Sequence, residues 1–263
     1  LFFAARLCKR DTEHKKRFTK RTGLGRTLNF LERIGFLELV PYGAILLIVA
    51  ILVVFEPHMS GTILILAGAA AVLFAAGIKL YWFAGGGAAL MGLVVLMMSG
   101  YQSTRILVWQ DPWAYPRDGG YQIIQSLYAI GSGGLLGVGL GKSRQKFLYL
   151  PEPENDFIFA IVCEELGLIG AGIVLILFAL LVMRGYWIAI HARDRFGALL
   201  VVGITTLTAV QVFLNISVVT NLIPTTGISL PFFSYGGTAL MIQLAEMGII
   251  LSVSRQIPAP RQE

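Results

Sequence analysis

Residues 149–190 read YLPEPENDFIFAIVCEELGLIGAGIVLILFALLVMRGYWIAI, and this stretch decides the fold. Its apolar part, 157–190, is longer than the roughly 20 residues that a helix needs to cross a bilayer. A segment with two prolines and three carboxylates, 151–156, lies directly before it. The pattern predicts a membrane-spanning helix with an acidic group directly before its N-terminal end, at the membrane surface.

The composition indicates a membrane protein. Apolar residues make up 56% of the chain and charged residues 14%, whereas a soluble domain has about 25% charged residues. The chain is therefore predicted to be an all-α, polytopic integral membrane helical bundle, a single domain over 1–263 with about six complete spans plus the end of another. It opens in an apolar run without Met, so we expect that N-terminal helices are missing. The other apolar runs are 1–7, 36–55, 61–78, 80–98, 197–219 and 235–254.

The distribution of basic residues predicts the orientation. Cytoplasmic loops collect Lys and Arg, which places 9–33 and 193–195 inside and makes 99–156 a large extracellular loop. The net charge of +6 is then a topology signal and does not indicate nucleic-acid binding. Cations in an external loop run against this bias and suggest an anionic ligand, although composition alone favours a long solvated loop, whose charges contribute little to topology. The loop contains Arg105, Arg117, Lys142, Arg144 and Lys146.

Nucleotide-binding motifs are incomplete. Gly141-Lys142-Ser143 is similar to the end of a phosphate-binding P-loop, but that motif requires Gly at position 136, which is Leu. No strand is predicted before it. The sequence therefore predicts no nucleotide site.

Asp156 has two interpretations. An Asp directly before a helix is a favoured N-cap and contributes about 1 kcal/mol. Alternatively, a carboxylate held at the membrane surface by the neighbouring prolines could act as a general base. Glu164 and Glu165 are too far along the helix, about 12 Å, to form a glycosidase-type carboxylate pair with it. We expect these two to be structural or cavity-lining, and Glu246 to face the bundle interior.

Long motifs carry a resemblance to a known family. They are GYQIIQS at 120–126, GGLLGVGLGKSRQK at 133–146, YLPEPENDFIFAIVCEELG at 149–167 and LIPTTGISLPFFSYGG at 222–237. The chain resembles the SEDS family (shape, elongation, division and sporulation), and is more similar to its FtsW and sporulation branch than to RodA. Glu154-Asn155 stand where the family often has His-Thr, while Asp156 is retained.

The resemblance implies a peptidoglycan glycosyltransferase in the bacterial plasma membrane. Such an enzyme polymerises lipid II at the outer face and works with a class B penicillin-binding protein and other divisome or elongasome proteins. Asp156 would be the base. The expected substrate contacts are Arg105, Lys142, Arg144, Lys146 and Glu152.

The sequence shows no ligand set for a cofactor, although a divalent cation such as Mg²⁺ or Mn²⁺ could assist the departing pyrophosphate. Two other functions stay open. In a lipid II flippase, Glu164, Glu165, Glu246 and Arg184 would line a polar path. In a pure division scaffold, Asp156 would be dispensable. The segment 223–237 is either a structural turn or a substrate contact.

Overall fold

The computed structural model describes residues 2–12, 36–55, 59–87, 100–117, 119–148, 150 and 155–257, and within these ranges every regular element is helical. A short helical segment covers 80–87, and a 3₁₀ turn covers Pro112–Ala114. The helices are α1 (Phe2–Thr12), α2 (Phe36–Phe55), α3 (Met59–Ala75), α4 (Gly100–Gln110), α5 (Gly120–Gly133), α6 (Gln145–Leu148), α7 (Ile158–His191), α8 (Arg195–Val219) and α9 (Gly237–Ser254).

The long apolar helices confirm the predicted class. In the described part of the chain, α7, α8 and α9 are long and apolar enough to cross a membrane, and α2 and α3 contribute shorter apolar stretches. Large apolar side chains stand exposed on α7, among them Ile176 at 60% and Met183 at 66%. A bilayer is the environment in which such surfaces are stable. The run predicted at 80–98 is helical up to residue 87, and its remainder lies outside the described residues.

Helix α8 packs against both α7 and α3. Small residues allow the close approach, as is common between membrane helices. A Cβ atom added at Gly185 of α7 would lie 2.4 Å from Oγ1 of Thr205, and one added at Gly203 would lie 2.9 Å from Val72. The same packing brings the C-terminal end of α8 beside the start of α7, where the candidate site lies.

Helix α7 is broken at Gly167, which has φ 67° and ψ −170°. The break divides α7 into a first segment, 158–166, and a second segment, 168–191. The segment 134–139 binds the peptide groups on both sides of it. The N–H of Leu168 donates to the carbonyl of Gly134 at 2.9 Å, and the N–H of Val138 donates to the carbonyl of Glu164 at 3.0 Å. Non-helical backbone in a membrane protein needs such internal partners.

The boundaries of α4 and α5 are set by local and tertiary features. Helix α5 ends at Gly133, and the next residue, Gly134, has a φ of 53°. The segment predicted as an external loop begins with an eleven-residue helix, α4, that was not foreseen. Tertiary contacts explain α4, because the indole N–H of Trp109 donates to the carbonyl of Asn221 at 3.1 Å and the amide of Asn221 donates to the carbonyl of Trp109 at 3.3 Å.

Candidate functional site

Asp156 lies in a turn, 155–157, directly before α7. It is partly buried, and the N-cap residue of α7 is Phe157. The helix therefore begins one residue later than the capping interpretation requires, and Asp156 does not occupy the N-cap position. Its alternative role as the general base stays a prediction.

The backbone of this turn is held by side chains from elsewhere in the chain. The amide Nδ2 of Asn215, in α8, donates to the carbonyl of Asp156 and to the carbonyl of Ile228, both at 2.7 Å. The hydroxyl of Ser234 donates to the carbonyl of Asn155 at 2.6 Å. The turn is thus tied to α8 and to the segment between α8 and α9.

That connecting segment, 220–236, forms a wall beside the carboxylate. A Cβ atom added at Gly227 would lie 3.5 Å from Oδ2 of Asp156. The guanidinium of Arg105 reaches the same segment from α4 and donates to the carbonyl of Thr225 at 3.2 Å. The structure therefore brings the predicted base and one predicted anion contact to a single short stretch, 225–227.

The connecting segment is itself held in place from both neighbouring helices. Gln211 of α8 donates to the carbonyl of Ser229 at 3.2 Å, and Gln243 of α9 accepts from the N–H of Phe232 at 2.8 Å. Aromatic contacts add to this, because the ring of Phe178 in α7 lies 6.5 Å from that of Phe232. The segment is a turn anchored from both sides, and a substrate contact there stays a prediction.

The other predicted cations lie in a loop, 141–144, and in the first turn of α6 that follows it, and Glu164 organises this segment. Glu164 is 2% exposed. Its carboxylate accepts from the hydroxyl of Ser143 and, at 3.1 Å, from the N–H of Arg144. The Ser143 hydroxyl in turn accepts from the N–H of Lys146 at 3.0 Å. The predicted structural role of Glu164 is confirmed.

This loop presents positive charge at the surface. Lys142 and Arg144 are exposed, and Lys146 is partly buried. Their backbone is anchored to the first segment of α7, which begins directly after the turn that carries Asp156. The cations and the carboxylate are thus built on one structural unit. Glu152, the remaining predicted substrate contact, lies outside the described residues.

The close approach of the end of α5 and of the segment 134–139 to α7 requires glycine. A Cβ atom at Gly133 would lie 2.0 Å from the carbonyl oxygen of Cys163, and one at Gly137 would lie 2.2 Å from that of Glu165. A Cβ atom at Gly167 would lie 2.3 Å from the backbone nitrogen of Gly137. Each of these neighbours is backbone and cannot rotate away.

The ionisable side chains that the flippase alternative assigns to a polar path lie in different environments from one another. Glu164 is occupied by the loop bonds, whereas Arg184 is exposed and its guanidinium carbon stacks 4.2 Å from the ring centre of Trp187. Glu165 and Glu246 are partly buried. Within the described ranges, no group of three or more His, Cys, Asp or Glu side chains could hold a metal ion. Assistance by Mg²⁺ or Mn²⁺ stays a prediction.

Asn215 and Ser234 are the residues that the sequence analysis missed as parts of the site. Asn215 is 0% exposed. An Asn inside the apolar run 197–219 is a sequence signal that could have identified it, because a polar side chain in a membrane helix needs a partner. Ser234 gave no comparable signal, since it stands among aromatic and glycine residues just before α9.

Comparisons with known proteins agree with this architecture. The family model that unites FtsW, RodA and SpoVE, described as "Cell cycle protein", matches residues 29–258. Among similar proteins, Stage V sporulation protein E of Bacillus subtilis (strain 168) is 48% identical over 219 residues, which cover 82% of this chain and 60% of that protein. The probable peptidoglycan glycosyltransferase FtsW of Geobacter sp. (strain M18) is 43% identical over 219 residues, with the same two shares, 82% and 60%.

Two solved structures are similar as well. A chain from a structure on the coordination of polymerisation and crosslinking by a peptidoglycan synthase complex has a TM-score of 0.70 and 27% identity, and the match covers 99% of this chain and 68% of that one. RodA of Thermus thermophilus has a TM-score of 0.54 and 27% identity, with 84% and 57% covered. The chain spans about 60% of the length of the curated relatives that it matches. It is a multi-pass membrane protein that belongs to the FtsW/RodA/SpoVE family, and the predicted similarity to the FtsW and sporulation branch is confirmed.

Proposed function

We propose that this chain carries the polymerising site of a peptidoglycan glycosyltransferase that joins lipid II units into glycan strands. The observation that supports this most directly is the arrangement around Asp156. A Cβ atom added at Gly227 would lie 3.5 Å from the Asp156 carboxylate. The carbonyls of Asn155 and Asp156 are each held by a hydrogen bond, and Arg105 donates to the carbonyl of Thr225, close in sequence to Gly227. A fixed carboxylate beside cations is what this reaction requires.

The chemistry has two demands. A sugar hydroxyl of one substrate attacks the anomeric carbon of another, a new C–O bond forms, and the bond to the lipid pyrophosphate breaks. Asp156 accepts the proton of the attacking hydroxyl, and a well-placed base contributes about 10²–10⁴-fold to the rate. The pyrophosphate leaves with additional negative charge, which nearby cations stabilise. Arg105, Lys142, Arg144 and Lys146 are the candidates for that contact.

The proposal extends to the surroundings of the site. The site faces outward from the plasma membrane of a bacterium, where the lipid II headgroups are polymerised, and the tails remain in the bilayer. A class B penicillin-binding protein would crosslink the strands. Two comparisons support these proposals. A structure similar to this chain concerns a peptidoglycan synthase complex that coordinates polymerisation and crosslinking, and one relative is named a probable peptidoglycan glycosyltransferase.

The test is lipid II polymerisation by the purified protein with its cognate penicillin-binding protein. We expect Asp156→Ala to abolish strand formation while leaving folding and partner binding intact. Asp194→Ala is the matched control, because Asp194 caps α8 at the other end of the helix by accepting from the N–H of Gly197 at 2.7 Å. That variant should lose about 1 kcal/mol of stability and keep its activity. Strands of normal length from Asp156→Ala would refute the proposed role of the base.

A further inference from the structure

We propose that Asn215 and Ser234 are positioning residues that fix the Asp156 carboxylate by holding the carbonyls of two consecutive residues. The inference rests on the proposed function and adds to it, since neither residue contacts the carboxylate through any bond described above. Both act on the backbone that carries it.

The geometry places the two donors on different elements. Asn215 belongs to α8 and donates to the carbonyl of Asp156 at 2.7 Å. Ser234 lies just before α9 and donates to the carbonyl of Asn155 at 2.6 Å. Asn155 and Asp156 stand in the turn before Ile158, so the regular hydrogen-bond ladder of the helix begins after them. The two side chains therefore set the orientation of peptide groups that the helix itself leaves undetermined.

The position of Asn215 shows that its donor end is the functional one. Nδ2 serves two carbonyls, those of Asp156 and Ile228, whereas Oδ1 is buried and has no hydrogen-bond partner in the described part of the chain. Two acceptors fix the orientation of the amide without ambiguity, because the flipped amide would place an oxygen against both of them. Through the carbonyl of Ile228, the same nitrogen also holds the residue next to Gly227, where an added Cβ atom would lie 3.5 Å from the carboxylate.

Ser234 is fixed in a similar way. Its hydroxyl accepts from the N–H of Leu230 at 2.7 Å while it donates to the carbonyl of Asn155. The single hydroxyl proton is thus committed to Asn155. Loss of either donor removes a hydrogen bond that orients one carbonyl of the turn, and rotation of that peptide group moves the Cα–Cβ bond of Asp156. A shift of about 1 Å in a reacting group can lower a rate by about 10²-fold.

The experiment compares Asn215→Ala and Ser234→Ala with Ser126→Ala. Ser126 is a matched control, because its hydroxyl is 0% exposed, donates to the carbonyl of Val219 at 2.8 Å and joins α5 to α8 without touching the turn. For each variant, kcat and KM for lipid II polymerisation and the melting temperature are measured in the complete protein with its partner. We expect kcat to fall by about 10–100-fold in the first two variants with KM nearly unchanged. Ser126→Ala should lower the melting temperature and retain the wild-type kcat.

Ser234→Thr is the conservative variant, since threonine keeps the hydroxyl, and it should restore most of the activity lost in Ser234→Ala. The inference is overturned if kcat follows the melting temperature across all variants, or if Asn215→Ala and Ser234→Ala keep the wild-type kcat. If Asp156→Ala remains active, the proposed function itself fails. If Asp156→Ala is inactive and the two positioning variants behave like Ser126→Ala, only the present inference fails.

Discussion

The contact between α5 and the first segment of α7 can be tested with a single methyl group at Gly133. Its Cβ atom would lie 2.0 Å from the carbonyl oxygen of Cys163 and 2.9 Å from Cα of Glu164. A Cβ atom essentially never comes within 3.0 Å of a heavy atom from another part of the chain. Because both neighbours are backbone, α5 has to move by about 1 Å or more to admit the methyl group.

The magnitude follows from two opposing effects. Overpacking of a well-packed contact destabilises a protein by about 1–3 kcal/mol, while Gly→Ala in a helix contributes about 0.5–1 kcal/mol in the other direction. Gly133 is the last residue of α5, so the favourable effect is at its smallest there. A net loss of about 1–2 kcal/mol lowers the melting temperature by roughly 2–8 °C for a chain of this size. Polymerisation should slow as well, because the displaced helix end leads into the basic loop.

Gly131→Ala is the control, since it lies on the same helix and a Cβ atom there has no neighbour within 4 Å. That variant should be as stable as the wild type or more stable. Thermal unfolding of the two purified variants in the same detergent gives the comparison. If both shift the melting temperature equally, or if Gly133→Ala leaves it unchanged, the close packing of α5 on α7 is refuted.

Three further predictions concern the same region. Glu164→Ala leaves the buried hydroxyl of Ser143 and the N–H of Arg144 without their acceptor, which costs about 1–3 kcal/mol each. Thermal unfolding should therefore show a far larger loss of stability than in Glu165→Ala, which removes one bond of 3.4 Å. Replacing Lys142 and Arg144 together by Gln should raise KM for lipid II and weaken its dependence on ionic strength, because exposed charges are screened by salt; an unchanged salt dependence would show that they do not contact the substrate. Gly227→Ala should lose about 1–2 kcal/mol, measured by melting temperature, since its φ of 69° is strained for any residue with a Cβ atom.

The long apolar helices were predictable because hydropathy over about 20 residues dominates every other signal. The run predicted at 36–55 matches α2 at both ends, and that at 197–219 matches α8 within two residues. The acidic residue singled out in the sequence, Asp156, does lie where α7, α8 and the 220–236 segment meet. Local sequence sufficed for the helices because each depends on a single stretch of chain, whereas the meeting of elements at Asp156 depends on bonds between distant residues.

The remaining features depend on contacts between distant residues. The break at Gly167 is hidden in a continuous apolar run, where a lone glycine is tolerated in a helix; it becomes visible only when 134–139 bonds to both sides of it. Helix α4 was missed because its mixed composition is stabilised by contacts with distant residues, those of Trp109 with Asn221 and of Arg105 with Thr225. The N-cap of α7 is Phe157 and not Asp156, because the carbonyls of Asn155 and Asp156 accept hydrogen bonds from outside the helix.

The break at Gly167 also solves a problem of length. A straight helix of 34 residues would be about 51 Å long, and fitting it within a hydrocarbon layer of about 30 Å would require a tilt of roughly 54°, beyond the usual range of about 0–40°. The second segment, 168–191, is about 36 Å long and matches that thickness at a tilt of about 34°. The turn that carries Asp156 and the first segment then need not enter the hydrocarbon, so a headgroup at the bilayer surface could reach the carboxylate while its tail stays in the lipid.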